Sequence, residues 1–304
     1  MPIFPTAPDD CLRFLRAAQP ALETHRHVVV TEGWDSIVLL VNSDRVYRFA
    51  RRPDVVVRFT VEVALLPELA LALPAPVPRF DIVRLGEPDA PFVAYALLLG
   101  EQLSPAWLAA ASPEQRGRLA EQLGGCLSAL HRFPPTRAAA LGVPAYTAAT
   151  WHAEYVEFFA WVREHIFPLL DHAERRQVTA FWEDFLGDDT NVFFSPVLIH
   201  RDLGTEHVLH DPATGALTGV IDWGDVSIGD PAQDFVGFYR SLGRSFAEQV
   251  LASYTLPVDD TFWRRVAFYA GLGPFQTVRF GIIDGQQAFV AAGLAALRAQ
   301  LATG

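Results

Sequence analysis

The chain of 304 residues contains no lysine, so all 24 of its basic side chains are arginines. That absence excludes a Walker-type phosphate loop, whose Gly-Lys-Ser/Thr end needs the amine. Cysteine is nearly absent too. Cys11 and Cys126 lie far apart and lack metal-site spacing, so two free buried thiols in a reducing cytoplasm are expected. No apolar run reaches the roughly 18 residues a bilayer helix needs. The stretch VEVALLPELALAL at 61–73 is broken by Glu62, Pro67 and Glu68. The opening MPIFPTAPDD lacks the basic start of a secretory signal. Also missing are Gly-x-Gly-x-x-Gly, Gly-x-Ser-x-Gly and His-Glu-x-x-His, the marks of dinucleotide folds, hydrolase elbows and helix-borne zinc.

What is present is a large apolar interior. Hydrophobic residues make up 51% of the chain and charged ones 19%, which rules out disorder. The length suits two lobes. A net charge of −11 argues against duplex nucleic acid or an anionic membrane as partner. It suits a cationic small molecule, or is ordinary acidic solubility.

Strand signals crowd the first hundred residues, after a short amphipathic helix over 9–19. HRHVVV (25–30), SIVLLV (36–41) and RVYRFA (45–50) are rich in β-branched and apolar residues. Asn42-Ser43-Asp44 is turn chemistry. Pro53 and Asp54 open a helix that carries Glu62, and Pro67 is expected to end it near Leu66. Two further strands are expected at about 80–85 and 92–98, around the turn GEPDAP. Helices dominate after Gly100. Ser112, Pro113 and Gln115 read as N-cap, N1 and N3 of a helix running to about His131. Further helical stretches are expected over 148–171 and 174–186. A β-like island over 197–222 follows, then three or four helices. The pattern predicts an α+β protein of two lobes, residues 1–98 strand-rich and 99–304 mostly helical.

The island carries the chemistry. LIHRDLGTEHVLHD (198–211) and VIDWGDVSIGDPAQDF (220–235) are joined through DPATGA (211–216), a hairpin turn to which His210 and Asp211 are assigned. Antiparallel pairing sets His207 opposite Asp222, with Asp202 on the loop leading in. Converging carboxylates repel unless a cation or proton shares the site. A divalent cation held by oxygens suits Mg²⁺. A single Asp-x-x-Asp would carry no meaning. His-x-Asp, a hairpin, then two apolar residues and Asp-x-Gly is an order much harder to meet by chance.

That order, His200-x-Asp202 with His207 and then Ile221-Asp222-Trp223-Gly224-Asp225, resembles the aminoglycoside phosphotransferases, which have a protein-kinase-like fold. The likeness spans most of the chain. Glu32-Gly33-Trp34-Asp35-Ser36 is similar to the family's nucleotide loop, and Val46-Tyr47-Arg48-Phe49 to its basic strand. Glu62 stands for its helix glutamate. Leu97, Leu98 and Leu99 with Gly100-Glu101 match the hinge, and Gly229 to Asp234 the late Gly-Asp-Pro-x-x-Asp.

The resemblance implies a kinase using ATP or GTP with Mg²⁺. Asp202 would orient the acceptor hydroxyl and take its proton. Asp222 would bind the metal, and His207 stands where many members carry a ligating Asn. His200 would be a scaffold, while Asp230 and Asp234 brace the loop and cap the next helix. Asp225 would serve either the metal's surroundings or the acceptor. Glu154 and Glu157 share a helix face and would either line a cationic acceptor's site or be solvated surface.

Two departures stand out. Arg48 replaces the family's lysine, with Arg45, Arg51 and Arg52 as positional rivals; arginine keeps the charge and binds in fork geometry. Imidazole at His207 suits Mg²⁺ less well than oxygen. Histidine in that slot is like the branch acting on the 2″-hydroxyl of aminoglycosides and like the macrolide kinases; otherwise it is a packed residue. A macrolide or metabolite-alcohol kinase, or a silent nucleotide-binding protein, stays open, although intact Asp202 and Asp222 favour catalysis. A monomer is expected, with a nucleotide and a small acceptor as partners and neither nucleic acid nor membrane.

Overall fold

The computed structural model describes residues 4–5, 7–31, 33, 35–85 and 90–303. Glu32, Trp34 and most of the GEPDAP turn lie outside the described residues. The first part of the chain runs α1 (Pro8–Ala18), β1 (His27–Val30), β2 (Ser36–Val41), β3 (Arg45–Ala50), α2 (Pro53–Ala72), β4 (Phe80–Arg84) and β5 (Phe92–Ala96). The strands form one antiparallel sheet, ordered β1-β2-β3-β5-β4. Asn42 and Ser43 turn the β2–β3 link at φ 52° and 64°, a region Asn tolerates better than most residues. Alternation in β3 divides the sheet's two faces. Tyr47 and Phe49 join Ile37, Leu39 and Val41 under Cys11 and Leu15 of α1. Arg48 points the other way, towards α2, where Val55 and Phe59 pack on Ala50 and Val93.

Helix α2 runs through Pro67 to Ala72, contrary to the expected stop at Leu66. The lost N–H costs a helical hydrogen bond. Leu65, Leu66 and Leu69, on the buried face around it, are fully enclosed, and that burial outweighs the loss.

The remainder runs β6 (Glu101–Gln102), α3 (Pro105–Ala110), α4 (Pro113–His131), α5 (Pro135–Ala140), α6 (Ala148–His165) and α7 (His172–Leu186). Then come β7 (Val197–Ile199), β8 (Val208–Asp211), β9 (Ala216–Val220) and β10 (Ser227–Gly229). Last are α8 (Val236–Leu242), α9 (Arg244–Ala252), α10 (Phe262–Gly271), α11 (Gly273–Ile283) and α12 (Gln287–Thr303). This is the expected α+β, two-lobed protein: a small antiparallel sheet followed by a helical lobe.

The expected capping box of α4 is present, with Ser112 Oγ accepting from the Gln115 amide at 3.2 Å and Gln115 Oε1 from the Ser112 amide at 2.7 Å. Three further expectations fail. The helix over 148–171 stops at His165, because Pro168 disfavours helical backbone at Phe167, and Phe167–Leu169 forms a 3₁₀ turn instead. Five helices, not three or four, close the chain, with left-handed Gly243 and Gly285 among the breaks. His210 lies within β8 rather than in a turn. It is fully buried, pairs with Glu101 of β6, and its Nδ1 donates to the Glu101 carbonyl at 2.9 Å.

Candidate active site

The loop after β7 is held from behind. The amides of His200 and Arg201 donate to Asp234 Oδ2 and Oδ1 at 2.9 and 2.8 Å. Asp234 also bonds His131 Nε2 at 3.1 Å, and His131 Nδ1 meets the Tyr254 hydroxyl at 2.7 Å. An ionised carboxylate only accepts, so Nε2 carries the proton and Tyr254 donates to Nδ1. His200 is fully buried, and its Nε2 donates to the Ile221 carbonyl at 3.0 Å. Burial holds its pKa below the ordinary histidine value, which keeps the ring neutral. Arg201 sits at φ 70°, a conformation costing a side-chain-bearing residue about 1–2 kcal/mol. Its amide bond to Asp234 helps hold it there. Asp230, fully buried, caps the next turn by accepting from the Ala232 amide at 3.0 Å, and it accepts from Arg265 at 2.7 Å and Tyr269 at 2.8 Å.

Asp202, His207 and Asp222 form a row. His207 Nδ1 lies 2.6 Å from the Asp202 carbonyl, which can only accept, so Nδ1 carries the proton. The other nitrogen, Nε2, is turned to Asp222 Oδ2 at 3.6 Å, while Nδ1 is 3.6 Å from Asp202 Oδ2. The amide of Ile221 donates to the His207 carbonyl at 3.0 Å, so the hairpin continues one step past its ladder and sets Ile221, not Asp222 as expected, opposite His207; Asp222 follows one residue on, where the backbone turns. The cleft walls partly desolvate the Asp202 carboxyl, although its side chain is 57% exposed, and raise it to about 6. His207 opposes the shift; Asp225, Asp222 and Glu206 add to it. Asp222, at φ 63°, goes the other way. Burial alone would raise it, but the charge of Arg48 above all, with that of Arg58, outweighs burial and holds it below the usual aspartate value.

Arg48 is buried and forks between two acids. Nη1 donates to Glu62 Oε2 at 2.7 Å and Nη2 to Asp222 Oδ1 at 3.1 Å. Phe59 lies beneath, its ring centre 5.2 Å from the guanidinium carbon. The rivals are engaged elsewhere: Arg45 with Asp81, Arg51 with the carbonyls of Thr31 and Gly33, Arg52 with Asp35 and Asp54. Asp35 ends the first loop and is also bound by Arg58 at 2.8 Å. Ser36 follows, buried, in β2. The hinge strand ends at Ala96. Beyond it the Leu97 amide donates to the Asp44 carbonyl at 2.7 Å, Leu98 lines a cavity behind the hinge, and Leu99 is 79% exposed.

A cavity of 260 Å³ opens beside Asp202, lined by Glu206, Asp225, Gln233, Arg240, Tyr155 and Tyr269 among others. It shares Tyr155, Arg201, Gln233 and Gln276 with a second one of 510 Å³, whose walls include Glu154, Glu157, Trp161 and Arg279. Glu154 is paired with Arg201 Nη2 at 3.2 Å, and Asp225 with Arg58 at 2.6 Å.

Residues 27–269 match the model of the phosphotransferase enzyme family. The chain belongs to that family. Viomycin phosphotransferase of Streptomyces vinaceus is 27% identical over 265 residues, covering 86% of this chain and 89% of that protein. The GDP and kanamycin complex of the aminoglycoside phosphotransferase APH(2″)-IIIa superposes with a TM-score of 0.90 at 26% identity, covering 97% and 99% of the two chains. The apoenzyme of macrolide 2′-phosphotransferase MphH from Brachybacterium faecium gives 0.72 at 27% identity, covering 95% and 98%.

In this phosphotransferase no group of three or more His, Cys, Asp or Glu side chains among the described residues converges as a metal cage. His207 and Asp222 alone still fit Mg²⁺, which commonly takes one or two protein ligands and fills its shell with water and phosphate oxygens. The Nε2 lone pair turned to an ionised carboxylate is the donor set on offer. Several neighbours escaped the sequence reading. Arg58 pairs with Asp225 and Arg201 with Glu154, and Tyr95, its hydroxyl pushed up to about 12 by burial, stands near Arg48. Arg58 carried one signal: it precedes Glu62 by one helical turn and so shares its face.

Proposed function

We propose that this phosphotransferase moves the terminal phosphate of ATP or GTP onto a hydroxyl of an aminoglycoside-like acceptor. The observation that carries the reading is the row Asp202–His207–Asp222, in which one imidazole separates two carboxylates of opposite character. Asp202 at about 6 is ionised at neutral pH yet basic enough to share a proton. It holds the acceptor hydroxyl in line and takes its proton as the new O–P bond forms and the bond to the diphosphate breaks. Asp222, kept ionised by Arg48, and His207 through Nε2 are the residues to hold Mg²⁺, which supplies charge neutralisation at the phosphates. Arg48 serves Glu62 and the phosphates from one fork. Gly33, Asp35 and Ser36 border the nucleotide on one side, and Leu97 to Leu99 on another. His200, Asp230 and Asp234 keep the loop in register. Asp225, Glu154 and Glu157 face the acceptor.

In this reading residues 1–98 form the nucleotide-side lobe and 99–304 the acceptor-side lobe of a monomer. The two buried free thiols agree with a cytoplasmic setting. The relatives named above, one of them with GDP and kanamycin, support the nucleotide and the acceptor class. Leu203, Val236, Tyr269 and Leu272 in the cavity wall favour a second acceptor, a macrolide. The test is to incubate the enzyme with Mg²⁺, ATP or GTP, and kanamycin, viomycin or a macrolide, and to weigh the products. An acceptor heavier by one phosphoryl group is the expected product. No such product from any of them, nor from simple alcohols, removes the reading.

A further inference from the structure

Arg58 joins two places that the proposed reaction keeps apart. Its Nη1 is 2.8 Å from Asp35 Oδ2, at the end of the first loop of the sheet lobe. The same atom is 2.6 Å from Asp225 Oδ1, in the wall of the acceptor cavity. Asp35 is held a second time, by Arg52 Nη2 at 2.7 Å. Asp225 has no other ion pair among the described residues. The two bonds of Arg58 use Nη1 alone, so Nη2 and Nε remain as donors for another anion. The side chain is one-third exposed and long enough to swing. Its charge also reaches Asp222, which it helps to keep ionised.

We infer that Arg58 is a residue for the terminal phosphate, held in reserve by Asp225, and that a nucleoside triphosphate draws it away and frees Asp225 for a cationic acceptor. The inference rests on the phosphotransfer reading, since the terminal phosphate must lie between Asp222 and Asp202. Asp225 lines the same cavity as Asp202, and Arg58 reaches Asp225. A phosphate with its spread negative charge is a better partner for a guanidinium fork than one carboxylate oxygen. Once Arg58 turns, Asp35 keeps Arg52, whereas Asp225 loses its partner and presents an unpaired charge to the cavity. A diphosphate lacks the group that draws Arg58. Asp225 then stays neutralised, and a cationic acceptor that enters beside a diphosphate lacks that one anionic contact.

Calorimetric titration with GDP, a non-hydrolysable GTP analogue and the two adenine counterparts, all with Mg²⁺, tests this without turnover. Arg58→Gln is expected to weaken the triphosphate analogue about tenfold or more, as loss of a bond between charged groups does. Its diphosphate affinity should stay within about twofold of wild type. Arg58→Lys should keep most of the triphosphate affinity, and Asp225→Asn should bind the triphosphate analogue several-fold more tightly by removing the competitor. A purely structural Arg58 would shift both nucleotides together, and that result, or no shift in either, overturns the inference. Tight triphosphate binding unchanged in Asp225→Asn overturns it as well. A wild type that binds none of the four nucleotides takes the phosphotransfer reading down with it.

Discussion

At Asp202 burial and three neighbouring acids raise the carboxyl together, and only His207 pulls it back. A base of this kind works when ionised, so kcat/KM should fall about tenfold per pH unit below about 6 and level off above it. A profile flat down to pH 5 contradicts the assignment. The same shift bears on stability, and the sign is opposite to that of an ordinary ion-paired aspartate. The folded state binds the proton more tightly than the unfolded chain, whose aspartate titrates near 3.8. The ionised carboxyl therefore destabilises the fold above pH 6, and the penalty fades between 6 and about 4. Asp202→Asn should melt higher than wild type at pH 7.5, with the gap closing towards pH 4; an equal or lower Tm at pH 7.5 counts against it. Asp202, His207 and Asp222 were legible in the sequence because motif order carries them, although the expected pairing of His207 with Asp222 was one residue out. Arg58 beside Asp225 was not. The two are 167 positions apart, and no local pattern announces such a contact.

At the scale of elements, the parts set by short-range chemistry could be read directly. The α4 capping box and the three strands over 27–50 follow from caps, turns and alternation. Pro67 misled because local propensity is weaker than the burial of three leucines. It is exposed, so Pro67→Ala should raise stability by up to about 3 kcal/mol in denaturant unfolding. A loss would mean the helix needs its proline. Asp234 is the opposite case, a fully buried carboxylate that accepts two loop amides and a histidine. Asp234→Ala leaves those donors unpaired and should cost about 3 kcal/mol, with turnover falling further as Asp202 loses its mounting. Unchanged stability together with unchanged turnover would remove Asp234 from the scaffold.

Across the whole molecule, the two lobes share more than a hinge. The far end of α2 lies in the main core with Leu119 and Leu123 of α4, and β6 pairs with β8. Arg48 and Arg58 then cross the cleft to Asp222 and Asp225. The sequence placed the division near residue 98, but these bonds run between distant segments, so their presence became visible only in three dimensions. In a chain without lysine, the two cations that bridge the cleft to Asp222 and Asp225 are arginines, Arg48 and Arg58. The central claim is that this cleft drives transfer to an acceptor through Asp202. The most direct measurement is the rate of nucleoside-diphosphate release with and without an acceptor that yields a phosphorylated product. Wild type should release diphosphate faster with the acceptor present, and Asp202→Asn should lose about 10²–10⁴-fold of that acceptor-dependent rate while still binding nucleotide. Acceptor-dependent release that survives intact in Asp202→Asn would contradict the account.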